Sequence, residues 1–149
     1  MRFILPCWLL FVLISTSAAA QPGDCSKGDC ENGSGTMTWT DGSEYTGEWK
    51  NGVRHGRGAY RRAEGDTYDG QWRNDRMHGL GTLTRPDGSR YEGQWLNGRR
   101  HGRGSSSFPD GRKYEGEWKN DLIDGTGSMT WPNGETYTGA GAIRPTRIR

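Results

Sequence analysis

The sequence is short of apolar material. Only 30% of its 149 residues are hydrophobic and the mean hydropathy is −0.97, too little to fill one deep core against the entropy of ordering a chain. Neither sign of charge dominates: 20 Lys and Arg stand against 18 Asp and Glu, which excludes the globally basic surface of a nucleic-acid binder. No Gly-Lys-Ser/Thr follows the glycine pairs, and no helix start follows them, so a phosphate-cradling loop is excluded as well. Ser105-Ser106-Ser107 lies at strand positions without an elbow motif, and no Ser or Cys nucleophile has a partner base. These absences predict a non-enzyme with no catalytic residues, no cofactor and no metal.

Long hydrophobic runs are missing too, except at the N-terminus. Met1-Arg2 is followed by a nearly unbroken apolar stretch from Phe3 to Ile14, then by small residues ending Ala18-Ala19-Ala20. This is the layout of a secretory signal with cleavage after Ala20. The alternative is a membrane anchor, but a spanning helix needs about 20 apolar residues. The expectation is therefore an exported chain, secreted or periplasmic. With Arg2 removed and the tail 142–149 (Arg144, Arg147, Arg149) set aside, residues 21–141 carry 16 basic and 18 acidic side chains.

Cysteine is scarce, and what remains is a pair. Cys7 leaves with the signal; Cys25 and Cys30 stay. The C-x4-C spacing has no second pair or nearby His to complete a zinc set. Export favours oxidation, so a Cys25–Cys30 disulfide is predicted within an N-terminal cap segment, residues 21–32.

What the chain has in abundance is glycine, 25 residues, and a period. Tyr45-Thr-Gly-Glu-Trp49, Tyr68-Asp-Gly-Gln-Trp72, Tyr91-Glu-Gly-Gln-Trp95 and Tyr114-Glu-Gly-Glu-Trp118 begin 23 residues apart, and Tyr137-Thr-Gly starts another copy. A fixed period of this size means stacked small units and not a single pocketed globule. With Tyr as position 1, two turn signals divide each unit. One is Asn-Gly or Asn-Asp at positions 7–8 and the other is mostly Asp-Gly at positions 20–21; both favour tight hairpin turns. The first strand is Tyr-x-Gly-x-Trp and the second runs from about position 12 to position 18. Alternation puts Tyr45, Trp49, Tyr68, Trp72, Tyr91, Trp95, Tyr114 and Trp118 on one face together with most of the glycines. A ring lying over a glycine would offset the cost of glycine in a strand. The opposite face, with Glu48, Gln71 and Gln94, is expected to be solvated. Gly33 to Gly42 reads as a second half-repeat whose first strand is replaced by the cysteine segment, and Tyr137 opens a terminal half-repeat with Gly141 in place of Trp. The array spans 33–141, with repeats starting at 45, 68, 91 and 114. The predicted fold is all-β, a single-layer antiparallel meander of about ten short strands.

The phrase Tyr-x-Gly-x-Trp-x-Asn-Gly-x-x-His-Gly-x-Gly, closed by Asp-Gly at a 23-residue spacing, resembles the MORN repeat. The resemblance implies a twisted β-hairpin solenoid used as a scaffold or protein-interaction module, in a family that has been linked to membranes and phospholipids.

Two constellations remain. His55, His78 and His101 share position 11, but equivalent side chains two strands apart lie about 9–10 Å from one another and do not converge on one metal ion; they read as structural residues at the hairpin's second turn. Arg54, Arg57, Arg73, Arg76, Arg99, Arg100 and Arg103 flank these histidines near one edge of the ribbon. They are either ordinary solvated charge beside Asp75, Asp121 and Asp124, or an anion-attracting edge. The functional expectation is an exported, non-enzymatic scaffold for a protein partner, with the aromatic face as contact surface wherever its rings remain exposed. Peripheral binding to anionic lipid through the arginine edge is the second expectation, and self-association into a homo-oligomer through open sheet edges the third.

Overall fold

The computed structural model describes residues 23–140; the expected signal segment, its cleavage site, Cys7 and the tail 142–149 lie outside the described residues. Eleven strands form one antiparallel sheet in which spatial order follows chain order. The strands are β1 (Gly23–Gly28), β2 (Ser34–Trp39), β3 (Glu44–Lys50), β4 (Val53–Arg61), β5 (Thr67–Arg73), β6 (Arg76–Thr84), β7 (Arg90–Leu96), β8 (Arg99–Ser107), β9 (Lys113–Lys119), β10 (Leu122–Thr130) and β11 (Thr136–Ala140). Eleven rather than about ten strands arise because the cysteine segment is itself a strand, β1, paired with β2. At about 4.8 Å per strand the ribbon is about 48 Å long.

Both sets of turns follow from residue chemistry. At positions 7–8 both central residues take positive φ, 52° and 70° at Asn51 and Gly52, and 49° and 62° at Asn74 and Asp75. This is the hairpin turn whose twist matches that of the flanking strands. At the other end Gly65 N donates to Arg62 O and Arg62 N to Asp66 O, a three-residue loop closed by a left-handed glycine. Asp41, Asp87 and Asp110 tie down the corresponding loops by accepting the backbone N–H two residues on, the Asx arrangement. The Ser43 and Ser89 side chains, followed by these backbone bonds, hold the Asp41 and Asp87 carboxyls below their ordinary range, and the Arg112 backbone N–H does so for Asp110.

Within each hairpin the second strand begins at position 9, earlier than spacing suggested, and contains a break in register. Gly47 faces Gly58, yet the next pair is Glu48 with His55, so Gly56 and Arg57 have no partner on β3. The same jump recurs between β5 and β6, and its counterparts lie between β7 and β8 and between β9 and β10. The histidines therefore sit in strands, opposite position 4, and not in a turn.

The N-terminal end is capped by the Cys25–Cys30 disulfide. Cys30 is buried, its sulfur beside the spot a Cβ on Gly35 would fill, and so takes the place that a tyrosine ring has over the glycines of a full repeat. Closing so short a loop restricts the unfolded chain by about 2 kcal/mol. Replacing both cysteines with serine is expected to lower stability by about that amount, with faster hydrogen exchange confined to β1 and β2. Exchange rising equally along the whole ribbon would contradict the cap role.

Candidate functional site

The core is one file of rings. Tyr45 meets Trp49 and Trp72 edge-on, with centroids 5.0 and 5.4 Å apart. Tyr68 meets Trp72 and Trp95, Tyr91 meets Trp95 and Trp118, and Tyr114 meets Trp118 in the same way. Each tyrosine ring lies across the facing glycine pair of its own hairpin. Its hydroxyl donates to the position-4 carbonyl, as Tyr68 does to Gln71 O at 3.0 Å. Each indole N–H donates to a position-14 glycine carbonyl of the preceding unit, as Trp95 does to Gly81 O at 3.0 Å. All eight rings are buried, none more than 6% exposed. They build the face but lie too deep to be its contact surface.

Burial pushes the Tyr91 phenol from its ordinary 10.0 up to about 12 and moves Tyr45, Tyr68 and Tyr114 in the same direction. A folded-state value above the unfolded one stabilises the protein fully below pH 10, and this contribution is lost as pH rises through about 12. Alkaline unfolding is thus expected in that window, with tyrosinate absorbance rising together with loss of near-ultraviolet dichroism. Free titration near the ordinary value with the dichroism intact would show that the rings are not enclosed.

The register break places a side chain where backbone is missing. Glu48 Oε1 accepts Arg57 N–H at 2.8 Å, Gln71 Oε1 accepts Leu80 N–H at 2.8 Å, Gln94 Oε1 accepts Arg103 N–H at 2.9 Å, and Glu117 Oε2 accepts Thr126 N–H at 2.8 Å. Position 4 is exposed at Glu48, Gln71 and Gln94, as expected, and in addition plugs the gap left in the ladder. The adjacent Gly56 takes φ 58°, and a Cβ there would strike the Glu48 carboxylate; only glycine meets both demands.

Position 10 lies opposite Trp and so on the aromatic face: Arg54, Met77, Arg100 and Ile123 face Trp49, Trp72, Trp95 and Trp118. Arg54 Nε pairs with Asp75 Oδ1 at 3.0 Å while its guanidinium stands 4.4 Å from the Trp72 ring centroid. Arg100 repeats this with Asp121 at 3.1 Å and Trp118 at 4.2 Å. These two of the predicted edge arginines are thus clamps over the rings. Arg57, Arg76, Arg99 and Arg103 are exposed; Arg57 and Arg103 pair with Gln71 and Glu117, so their side chains belong to the opposite face. The expected cluster splits by alternation along the second strand: position 10 shares the ring side with positions 14 and 16, and positions 9 and 13 point the other way. Leu80 (63% exposed), Leu96 (40%) and Leu122 (69%) also occupy positions of the opposite face. His55, His78 and His101 bury Nδ1 without a hydrogen-bond partner, and no group of metal-binding side chains occurs among the described residues.

Above the buried rings, the aromatic face carries a second, half-buried layer that includes Trp39, Tyr60, Met77, Leu83, Phe108 and Trp131. Two hollows, of about 260 and 290 Å³, follow one another along the ribbon and share Met77, Leu83 and Gly98. Together they form a channel that crosses the strands. One rim is position 10 with its aspartates; the other is positions 16 and 18, including Tyr60, Arg62, Leu83, Arg85 and Phe108. Positions 16 and 18 vary from repeat to repeat, so sequence periodicity drew no attention to them. A wider hollow of about 590 Å³ on the other face is an open saddle lined by Glu92, Arg103, Ser105, Glu115 and glycine backbone. The arrangement offers apolar contact and charge, with no converging acid, base and nucleophile.

No curated protein matches the chain. Among solved structures it is similar to the TCP domain of SAS-4 from Drosophila melanogaster, solved with a proline-rich motif of Ana2, at 16% identity and a TM-score of 0.41 over 70% of each chain. It is also similar to the TCP10 domain of CPAP from Danio rerio, solved with a peptide of STIL, at 15% identity and a TM-score of 0.30; the match covers 78% of this chain and 59% of that one. The family model for the MORN repeat matches residues 31–44, 45–67, 68–90, 91–111 and 114–136. Its first segment covers the half-repeat around β2 and the other four coincide with the ring-and-glycine hairpins described above, and the chain belongs to the MORN repeat family.

Proposed function

We propose that the chain is a non-enzymatic scaffold, exported after cleavage of its N-terminal segment, that holds a protein partner in the channel on its aromatic face. The observation that carries this reading is the half-buried layer of Tyr60, Met77, Leu83 and Phe108 above a ring core that is already complete. Apolar groups in excess of what the core needs, gathered in a groove with a charged rim, fit a protein-binding surface. A photoreactive side chain at Leu83 is expected to trap one discrete partner, and the same group at Leu80 on the opposite face is not. Equal yields from both positions, or none from Leu83, would refute the assignment.

A second reading belongs to the opposite face. Leu80, Leu96 and Leu122 are exposed there beside Arg57, Arg76, Arg99 and Arg103, a mixture suited to the surface of an anionic membrane. Vesicle flotation tests it: recovery should require anionic lipid and fall with salt. Equal and negligible recovery with anionic and neutral vesicles would remove this reading.

A further inference from the structure

We infer that the partner segment is proline-rich, adopts the polyproline II conformation along the channel and carries acidic side chains. This rests on the protein-binding reading of the aromatic face. The channel crosses the strands, so a bound segment meets an equivalent position of the repeat every two strands, about 9.6 Å. That step discriminates among backbone conformations. An α-helix covers 9.6 Å in about 6.4 residues, so its contact face turns by about 80° per repeat and leaves the channel within two. An extended strand covers it in about three residues, and its side chains alternate, so the contact face flips at every repeat. A polyproline II helix rises about 3.1 Å per residue with three residues per turn. One turn is about 9.3 Å, so every third residue returns to the equivalent place in the next repeat.

The surface of the channel fits the same occupant. Tyr60 and Phe108 flank Leu83 along one rim, leaving apolar notches between side chains of the kind that proline rings fill. Polyproline II has no internal hydrogen bonds, so its carbonyls are free to accept from the rim arginines. Charge narrows the class: Arg54, Arg62, Arg85 and Arg100 line the ring side of the two hollows with Asp66, Asp75 and Asp121, and since Arg54, Arg62 and Arg100 are held by those aspartates, Arg85 is the rim cation outside these ion pairs. Acidic side chains are favoured next to such a rim and basic ones are repelled.

The experiment titrates three synthetic peptides into the full mature chain and follows tryptophan fluorescence: (Pro-Pro-Glu)5, (Pro-Pro-Lys)5, and (Gly-Ser-Glu)5, which keeps the charge and loses the backbone preference. The expected result is saturable binding of the first, at least tenfold weaker binding of the other two, and at least tenfold loss in Leu83→Ala and Phe108→Ala but not in Leu80→Ala. If a channel variant fails to fold, Arg85→Glu provides the same test on a rim side chain. Equal binding of (Gly-Ser-Glu)5 would reduce the interaction to charge and overturn the polyproline assignment. Failure of (Pro-Pro-Glu)5, together with crosslinking of a partner at Leu83, would overturn that assignment and leave the scaffold reading standing. Failure of both would overturn both.

Discussion

Gly70→Ala is expected to destabilise the protein by about 3 kcal/mol, the upper range for forcing atoms into a packed site. Gly70 and Gly81 face each other across β5 and β6 beneath the Tyr68 ring. A Cβ on Gly70 would lie 2.5 Å from Gly81 Cα, 2.6 Å from Tyr68 Oη and 2.7 Å from Leu80 O. Two of these atoms are backbone of the neighbouring strand, and the third is pinned by its hydrogen bond to Gln71 O. The loss is net of a gain, because replacing glycine by alanine within an element normally stabilises by roughly 0.5–1 kcal/mol. Gly88 provides the contrast. It has φ 82° and no neighbouring atom within 4 Å of where a Cβ would stand, so its requirement is conformational. Gly88→Asn should cost less than about 1 kcal/mol because Asn tolerates the left-handed region, whereas Gly70→Asn should be at least as damaging as Gly70→Ala. Denaturant unfolding of the three variants decides the matter; Gly70→Ala within about 0.5 kcal/mol of the parent, the range of ordinary surface changes, would show that the rings are not seated on the glycines.

Trp95→Ala should have the largest effect, about 3–5 kcal/mol as for other aromatic truncations in a core. Its ring is shared by Tyr68 and Tyr91, and its N–H occupies Gly81 O. Each strand bonds only to its sequence neighbours, so no second path joins the two halves of the ribbon. Stability in such an array is a chain of nearest-neighbour terms, and weakening one link divides the chain's cooperativity as well as reducing its total. The expected signature is two transitions, with β1 to β6 and β8 to β11 losing hydrogen-exchange protection at different denaturant concentrations. A single transition displaced by less than about 1 kcal/mol would mean that the file of rings is not what couples the repeats.

Much of this architecture was legible in the sequence because it is local. Asn51-Gly52 and Asp87-Gly88 specify their turns through their own backbone preferences, and Tyr, Gly and Trp at positions 1, 3 and 5 share a face by simple alternation. Family, hairpin order and the cysteine cap followed from these. What was not legible depends on one side chain standing in for distant backbone. The plug formed by Glu48 with Arg57 N–H, and by Gln71 with Leu80 N–H, has no cue except an acid or amide recurring at position 4 together with a glycine recurring at position 12. Reading the second strand from position 12, when it begins at position 9, left Arg54 and Arg100 at an edge with Arg76 and Arg99. The channel was hidden for the opposite reason. Tyr60, Leu83, Ser106 and Met129 share position 16 but not a residue type, so a reading that follows what repeats passes over what varies, and a partner is distinguished by what varies.

The two arginine clamps have a consequence for how such a chain can lengthen. Arg54 and Arg100 stand 46 residues apart, as do Asp75 and Asp121, while Met77 and Gly98 occupy the corresponding places between them. The heritable module is therefore a doublet of hairpins. Unequal recombination that adds or deletes 46 residues restores every arginine to an aspartate. Duplicating the hairpin that starts at Tyr45 or at Tyr91, or deleting the one that starts at Tyr68, would instead set an arginine against glycine at the junction and leave its charge over the indole with no counter-ion.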